Sequence, residues 1–251
     1  LARTPSSDSP VDAPVNKLIL NGFSARSVNF MTFPVEKMQS IYSAQQVERS
    51  NVHVYSALYC YELMRYLATN IDSNETDKHW RIGVVSPYHA QAEVINKLWE
   101  QRKELFGNVD VSIGTVHGFQ GDECDIIIAV YNPPASGMVR FSDKTFINKK
   151  NILNVAISRA QDYLFILMPD RDYEHFDGLQ AKNIGVIARE QKGELTLTTT
   201  QDMENVMFGD GHYLEKNTFV TTHQLANVYT VPSSLYEVRI DEKSIDIQVK
   251  R

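Results

Sequence analysis

Apolar residues recur along this chain in two rhythms. In the first, Val54, Leu58, Tyr59, Leu63 and Leu67 return every three or four positions, which predicts a helix over 52–69. A second helix is predicted over 90–103, with Val94, Ile95, Leu98 and Trp99 on one face, and a third over 151–160, buried through Leu153, Val155, Ala156 and Ile157. The other rhythm is the short unbroken apolar run. Such runs predict strands at 27–33, closed by Pro34, at 81–85, closed by Ser86 and Pro87, and at 109–116, 126–131 and 163–168. Strands that are apolar at every position are buried on both faces, and their alternation with helices predicts a mostly parallel sheet in an α/β layer architecture. Folds of this class hold their chemistry in loops at the carboxyl ends of the strands, which is where the polar clusters are expected. Ser50 and Asn51 are candidate caps for the first helix, and 70–78 is a polar loop. Beyond Asp170 the pattern changes. Residues 171–193 are loop-like or helical, 194–200 and 236–240 are β-rich, and 236–249 forms a hairpin turning at 241–244.

Composition narrows this picture. The 251 residues, 43% hydrophobic and 22% charged, can build one large domain with an ample core. Three parts are expected: a Ser, Pro, Asp and Ala-rich lead over 1–24, an α/β domain over 25–170, and a partly β extension over 171–251. The net charge of −6 argues against a protein that coats nucleic acid non-specifically. It permits a narrow track made of backbone N–H groups, hydroxyls and isolated cations. The longest apolar runs, such as 126–131, fall far short of the ~20 residues that span a bilayer, so no membrane partner is expected. The first ten residues, LARTPSSDSP, contain no apolar core of a signal peptide. Cys60 and Cys124 are the only cysteines and are far apart in sequence, which suits a reducing cytoplasmic compartment and no metal site.

Three segments carry candidate chemistry. In GVVSPYHAQ, at 83–91, a strand ends at Ser86, whose hydroxyl can meet an anion, and the following helix offers free N–H groups. In GTVHGFQGDECD, at 114–125, Thr115 and His117 can reach a phosphate or base, and Gly118 and Gly121 allow close backbone approach. Glu123 can accept from both hydroxyls of a ribose, and Asp125 can satisfy loop N–H groups before the apolar strand begins. In LNVAISRAQDYLFIL, at 153–167, Arg159 ends a largely apolar helix, where its guanidinium fork suits a phosphate partner. Taken singly, the first and third segments also read as an ordinary strand-to-helix connection and a surface salt bridge.

In this order and spacing, the three segments resemble motifs IV, V and VI of superfamily-1B helicases, the branch that includes the nonsense-mediated-decay RNA helicase. The resemblance covers about residues 25–170, and Asn51 matches a recurrent Asn of the same family. It implies a RecA-like fold of the P-loop NTPase type, the second of two motor domains, with ATP in the cleft between them and single-stranded DNA or RNA across both. It also implies roles. Arg159 would be the catalytic arginine finger. Gln91, Gly121 and Glu123 would bind nucleotide together with Arg159, and Ser86, Thr115 and His117 would line the nucleic-acid track. Relatives place an arginine beside the motif IV Gln, where this chain has His89 and Ala92. No G-x-x-x-x-G-K-[ST] occurs in the sequence. The resemblance therefore implies that ATP and Mg2+ are gripped by an N-terminal RecA-like domain of the same parent, and that this chain alone is inactive as an ATPase. The alternative is a non-catalytic RecA-like module that binds nucleic acid or protein. A nuclease reading of Asp246 and Lys250 has the wrong spacing between acid and lysine.

Overall fold

The computed structural model describes residues 18–36, 40–73, 78–119, 123–135, 154–155, 158–170, 195–222 and 234–250. Its centre is a six-stranded, wholly parallel sheet of β1 (Val28–Phe33), β4 (Arg81–Ser86), β5 (Asp110–Thr115), β6 (Cys124–Val130), β7 (Ala160–Pro169) and β8 (Leu195–Thr199). The spatial order is β5-β4-β6-β7-β1-β8. Every residue of β6 is buried, as its run of isoleucines demands of a central strand covered on both faces. The fold is thus the α/β, RecA-like one, with further β structure toward the C-terminus. The run at 194–200 supplies β8, which lies on the edge of this main sheet against β1.

Alternate residues of the strands feed two cores. Met31, Phe33, Ile82, Val84, Ile126, Ile128, Phe165 and Leu167 pack against α1 (Val54–Ser73) and α2 (His89–Gln101). Phe30, Val85, Ile127, Ala129, Leu164, Ile166 and Met168 form the opposite core, together with Val116 and Phe119. The structure extends the first predicted helix at one end and trims it at the other. Val52 and His53 belong to β3 (Ser50–His53), which pairs with β2 (Ala44–Val47) as a hairpin, and α1 runs on through residues expected to be loop.

From Val54 to Met64 every side chain of α1 is buried, so this helix is covered all round. One side meets the sheet. Much of the rest is covered by the C-terminal elements α3 (Thr200–Phe208), α4 (Tyr213–Asn217) and the sheet of β9 (Thr218–Thr222), β10 (Tyr236–Ile240) and β11 (Ile245–Val249). β10 and β11 form the expected hairpin, and β9 lies parallel to β10. The outer edge of β11 is tied to α2 by side chains. Lys97 Nζ donates to the Ile245 carbonyl at 2.8 Å, while Gln101 donates to the Ile247 carbonyl at 2.7 Å and accepts from the Val249 N–H at 3.1 Å. Satisfied in this way, the edge is closed to further pairing. The Tyr236 hydroxyl donates to the buried carboxylate of Glu62 on α1, fixing the hairpin to the helix. Among the described residues no helix is long and apolar enough to cross a membrane.

Candidate functional site

Because the six strands are parallel, the sheet has one carboxyl edge and one amino edge, and the sequence-predicted residues divide between them. Ser86 and Thr115 end β4 and β5 side by side in register. These two, with His117 and Gln91, lie where candidate residues were expected, at carboxyl ends; Glu123 and Arg159 do not. Glu123 and Arg159 immediately precede Cys124 and Ala160, the paired first residues of β6 and β7, and so stand at the amino edge. The separation is about seven residues of strand, or ~23 Å.

At the carboxyl edge, Ser86 is fully buried and its hydroxyl accepts from the Tyr88 N–H at 3.2 Å. Thr115 closes a turn, its hydroxyl accepting from the Gly118 N–H at 3.3 Å and its carbonyl from the Phe119 N–H at 2.9 Å. Among the described residues the Thr115 O–H has no assigned acceptor, and a hydroxyl can turn to donate to a phosphate oxygen. His117 is exposed at the tip of this turn. The caps differ from those expected. The Ser50 hydroxyl accepts from the Ala90 N–H at 2.9 Å, so it serves the start of α2, forty residues on, rather than α1. Asn51 accepts from the Ala135 N–H at 2.9 Å. The first turn of α1 is served by His53, whose Nδ1 accepts from the Ser56 N–H at 3.3 Å while Nε2 donates to the Tyr42 carbonyl at 2.9 Å. This network assigns the Nε2-protonated tautomer. Burial pushes the His53 imidazole down to about 4, against a smaller upward pull from the Tyr42 carbonyl, so it is neutral at pH 7. Beside this edge, just beyond β6, Asn132 is fully buried, with neither amide atom hydrogen-bonded among the described residues.

Gln91, in the first turn of α2, does not join Glu123 and Arg159. It is fully buried; its Oε1 accepts from the His53 N–H at 2.8 Å and its Nε2 donates to the Ser56 hydroxyl at 3.0 Å. Its amide locks α2 to the start of α1.

At the amino edge, Glu123 is exposed, and its carboxylate accepts from Gln161 Nε2 at 3.0 Å. Residues 154, 155, 158 and 159 are helical and lead directly into β7. Arg159 is half-buried, and its Nε is buried with no hydrogen-bond partner among the described residues. A half-buried guanidinium beside an exposed carboxylate suits a ligand that carries both phosphate and hydroxyl groups. Behind this pair Asp125, which lies within β6 rather than before it, accepts from the N–H of Arg81 at the start of β4 at 2.8 Å, a strand donor instead of the loop donors expected. Lys78 and Asp162, which no sequence pattern singled out, complete the edge. Gly121 lies outside the described residues.

The link between the edges is the connection from β5 to β6, residues 116–123. It must cross β4, and it is shorter than the dozen or so residues usual for a parallel crossover. Gly83, in the middle of β4, makes this possible. A Cβ there would stand 2.5 Å from Ile127 Cδ1, 2.7 Å from Phe119 Cζ and 3.0 Å from Cys124 Sγ, so the Phe119 ring rests directly on the β4 backbone. Among the described residues no group of three or more His, Cys, Asp or Glu is placed to hold a metal ion.

A family model described as an AAA domain matches residues 9–170. Among curated proteins, the chain is 37% identical over 89 residues to the DNA polymerase alpha-associated DNA helicase A of Saccharomyces cerevisiae, covering 34% of this chain and 12% of that protein. It is 33% identical over 84 residues to an uncharacterized ATP-dependent helicase of Methanocaldococcus jannaschii, covering 34% and 11%. It is 30% identical over 110 residues to Helicase SEN1 of S. cerevisiae, covering 42% and 5%. The matches thus span about a tenth or less of the length of these relatives.

Proposed function

Because the chain belongs to the AAA-domain family, matched over 9–170, we propose that it acts as the second RecA-like motor domain of an ATP-dependent superfamily-1 helicase or translocase. What carries the reading is the two-edged arrangement: Glu123 and Arg159 together at the amino ends of adjacent strands, Ser86 and Thr115 together at the carboxyl ends. Helicase relatives with recorded identities of 30–37% support it.

In this reading the amino edge faces ATP held by a first motor domain. The Arg159 fork meets the γ-phosphate as charge develops during transfer, and Glu123 takes the ribose hydroxyls, with Gly121 in the same connection. Phosphoryl transfer needs little from the protein beyond positioning and charge, so one arginine finger is worth ~10³–10⁵ in kcat. The carboxyl edge, through Thr115 and His117, follows the backbone of single-stranded DNA or RNA, while the fully buried Ser86 holds the Tyr88 N–H behind them and does not reach the strand. Gln91 supports the site from within by fixing α1 to α2. The Mg2+ that accompanies ATP is held by the first motor domain.

The test is Arg159→Ala in the parent protein, with single-stranded nucleic acid in excess. Turnover should fall by about 10³ or more while ATP binding stays within a few-fold. Turnover near the parent rate would remove the arginine-finger assignment. The chain by itself should show no ATPase under the same conditions.

A further inference from the structure

Three adjacent strands, β4, β6 and β7, are fastened at their amino ends by one ammonium group. Lys78, just before β4, places Nζ 2.6 Å from Asp125 Oδ1 and 3.2 Å from Asp162 Oδ2. It lies 4.3 Å from the centre of the Trp80 ring. The two carboxylate side chains are only 8% and 5% exposed, and that of Lys78 is 25% exposed. Asp125 is two residues beyond Glu123, and Asp162 three beyond Arg159. The ammonium therefore spans the strands that carry the two groups assigned to the nucleotide.

A second observation points to the same place. The pairing of β6 with β7 shifts register here: Cys124 pairs with Ala160 but Ile126 with Tyr163, so β7 holds one extra residue within 161–162. The side chains of these residues are the ones that cross to neighbouring strands, Gln161 to Glu123 at 3.0 Å and Asp162 to Lys78. Bulges of this kind bend a strand and re-aim its side chains, here toward the neighbouring strands.

We infer that Lys78 is a positioning residue for the nucleotide-facing edge, setting the place of Arg159 relative to Glu123 by joining Asp125 to Asp162. The inference rests on the functional reading above. The ammonium touches neither substrate nor reacting atoms. Its effect is on where the Arg159 fork stands when the cleft closes, and a displacement of about an ångström at such a group can cost ~100-fold in rate.

The experiment compares Lys78→Met, Lys78→Met/Asp162→Asn and Arg159→Ala in the parent protein, measuring kcat, KM for ATP and thermal stability. The single variant leaves two buried carboxylates facing one another and is expected to melt early. The double variant removes that repulsion, since Asp125 keeps the Arg81 N–H, and is expected to melt as the parent does. The inference expects the double variant to stay impaired, with kcat down about tenfold or more and KM for ATP raised, because the tie itself is gone. A double variant that recovers both stability and kcat to within twofold overturns it and leaves Lys78 a stabilising residue only. Arg159→Ala separates the two failures. If that variant turns over normally, the functional reading falls and takes this inference with it; if it is dead while the double variant is active, the inference falls alone.

Discussion

Glu62 offers a stability measurement whose sign and size follow from the structure. It sits on α1 at 1% exposure, its carboxylate accepting from the Tyr236 hydroxyl and ion-paired at 2.7 Å with the Arg65 guanidinium. Burial pushes the carboxyl up from 4.5 to about 7, outweighing the downward pull of Arg65. Between those two pH values the folded chain keeps a proton that the unfolded chain has released. The stability tied to this residue is therefore complete below about pH 4.5 and is lost as the pH rises through about 7. At ~1.4 kcal/mol per unit, the full loss is about 3 kcal/mol.

Glu62→Gln keeps an acceptor for Tyr236 and removes the titration. Urea unfolding at steps from pH 4 to pH 8 gives the free energy of each protein, and the variant minus wild-type difference isolates this residue. The difference should climb by about 3 kcal/mol, at a slope no steeper than ~1.4 kcal/mol per unit, and level off near pH 8. The lost contact with Arg65 shifts the curve but does not create its rise. A flat or falling difference would show that Glu62 is not a destabilised carboxylate, and that the junction of β10 with α1 is not sealed from water.

Three further outcomes are expected. His53, with its imidazole held down to about 4, loses stability as pH falls from 6.5 through 4; a His53→Asn variant, compared with wild type by the same urea series, should gain about 3 kcal/mol in relative terms over that span. Gln91→Ala strands the His53 N–H and removes a partner of Ser56, and should lower unfolding free energy by ~1–3 kcal/mol from the orphaned donor alone. Gly83→Ala sets a Cβ against Ile127 and the Phe119 ring and should cost ~1–3 kcal/mol; in a double-mutant cycle Phe119→Ala should recover the part of that loss owed to the ring, and strict additivity would refute direct contact.

The parts of the fold legible in the sequence are those fixed by local burial. The apolar runs of β1, β4, β6 and β7 can sit only between two covered faces, so their parallel sheet follows from the pattern. The hairpin of β10 and β11 was equally plain, because its alternation and its turn are local. β2 and β3 were not, since AQQV and SNVH carry too few apolar residues to reveal a period. Ser50 shows the limit sharply. A serine before a helix reads as its cap, yet β3 lies beside α2, and the hydroxyl serves a helix forty residues away. Lys78 gave no local sign either, for its two partners are brought to it only by the strand order. The candidate residues were visible as a motif set, but their division between edges depends on which lie before a strand and which after it.

That division changes what the connection over β4 has to do. From Val116, held by the Ser86 carbonyl at 3.1 Å, to Glu123, the chain passes from one edge to the other in eight residues. Extended chain covers at most ~3.6 Å per residue, and residues 115–119 are spent on a turn, so little slack remains to absorb a shift at either end. With the Phe119 ring seated on Gly83, only 4% exposed, the middle is clamped as well. A short connection pinned at its centre passes displacement on rather than dissipating it, because packed interiors rearrange between discrete states and do not stretch. Under the proposed function, closure around ATP that moves Glu123 must therefore be felt at Thr115. Gly83→Ala, which disturbs the clamp at the middle of β4, should weaken the dependence of ATP turnover on single-stranded nucleic acid more than it weakens the unstimulated rate. Equal loss in both would place the coupling elsewhere in the sheet.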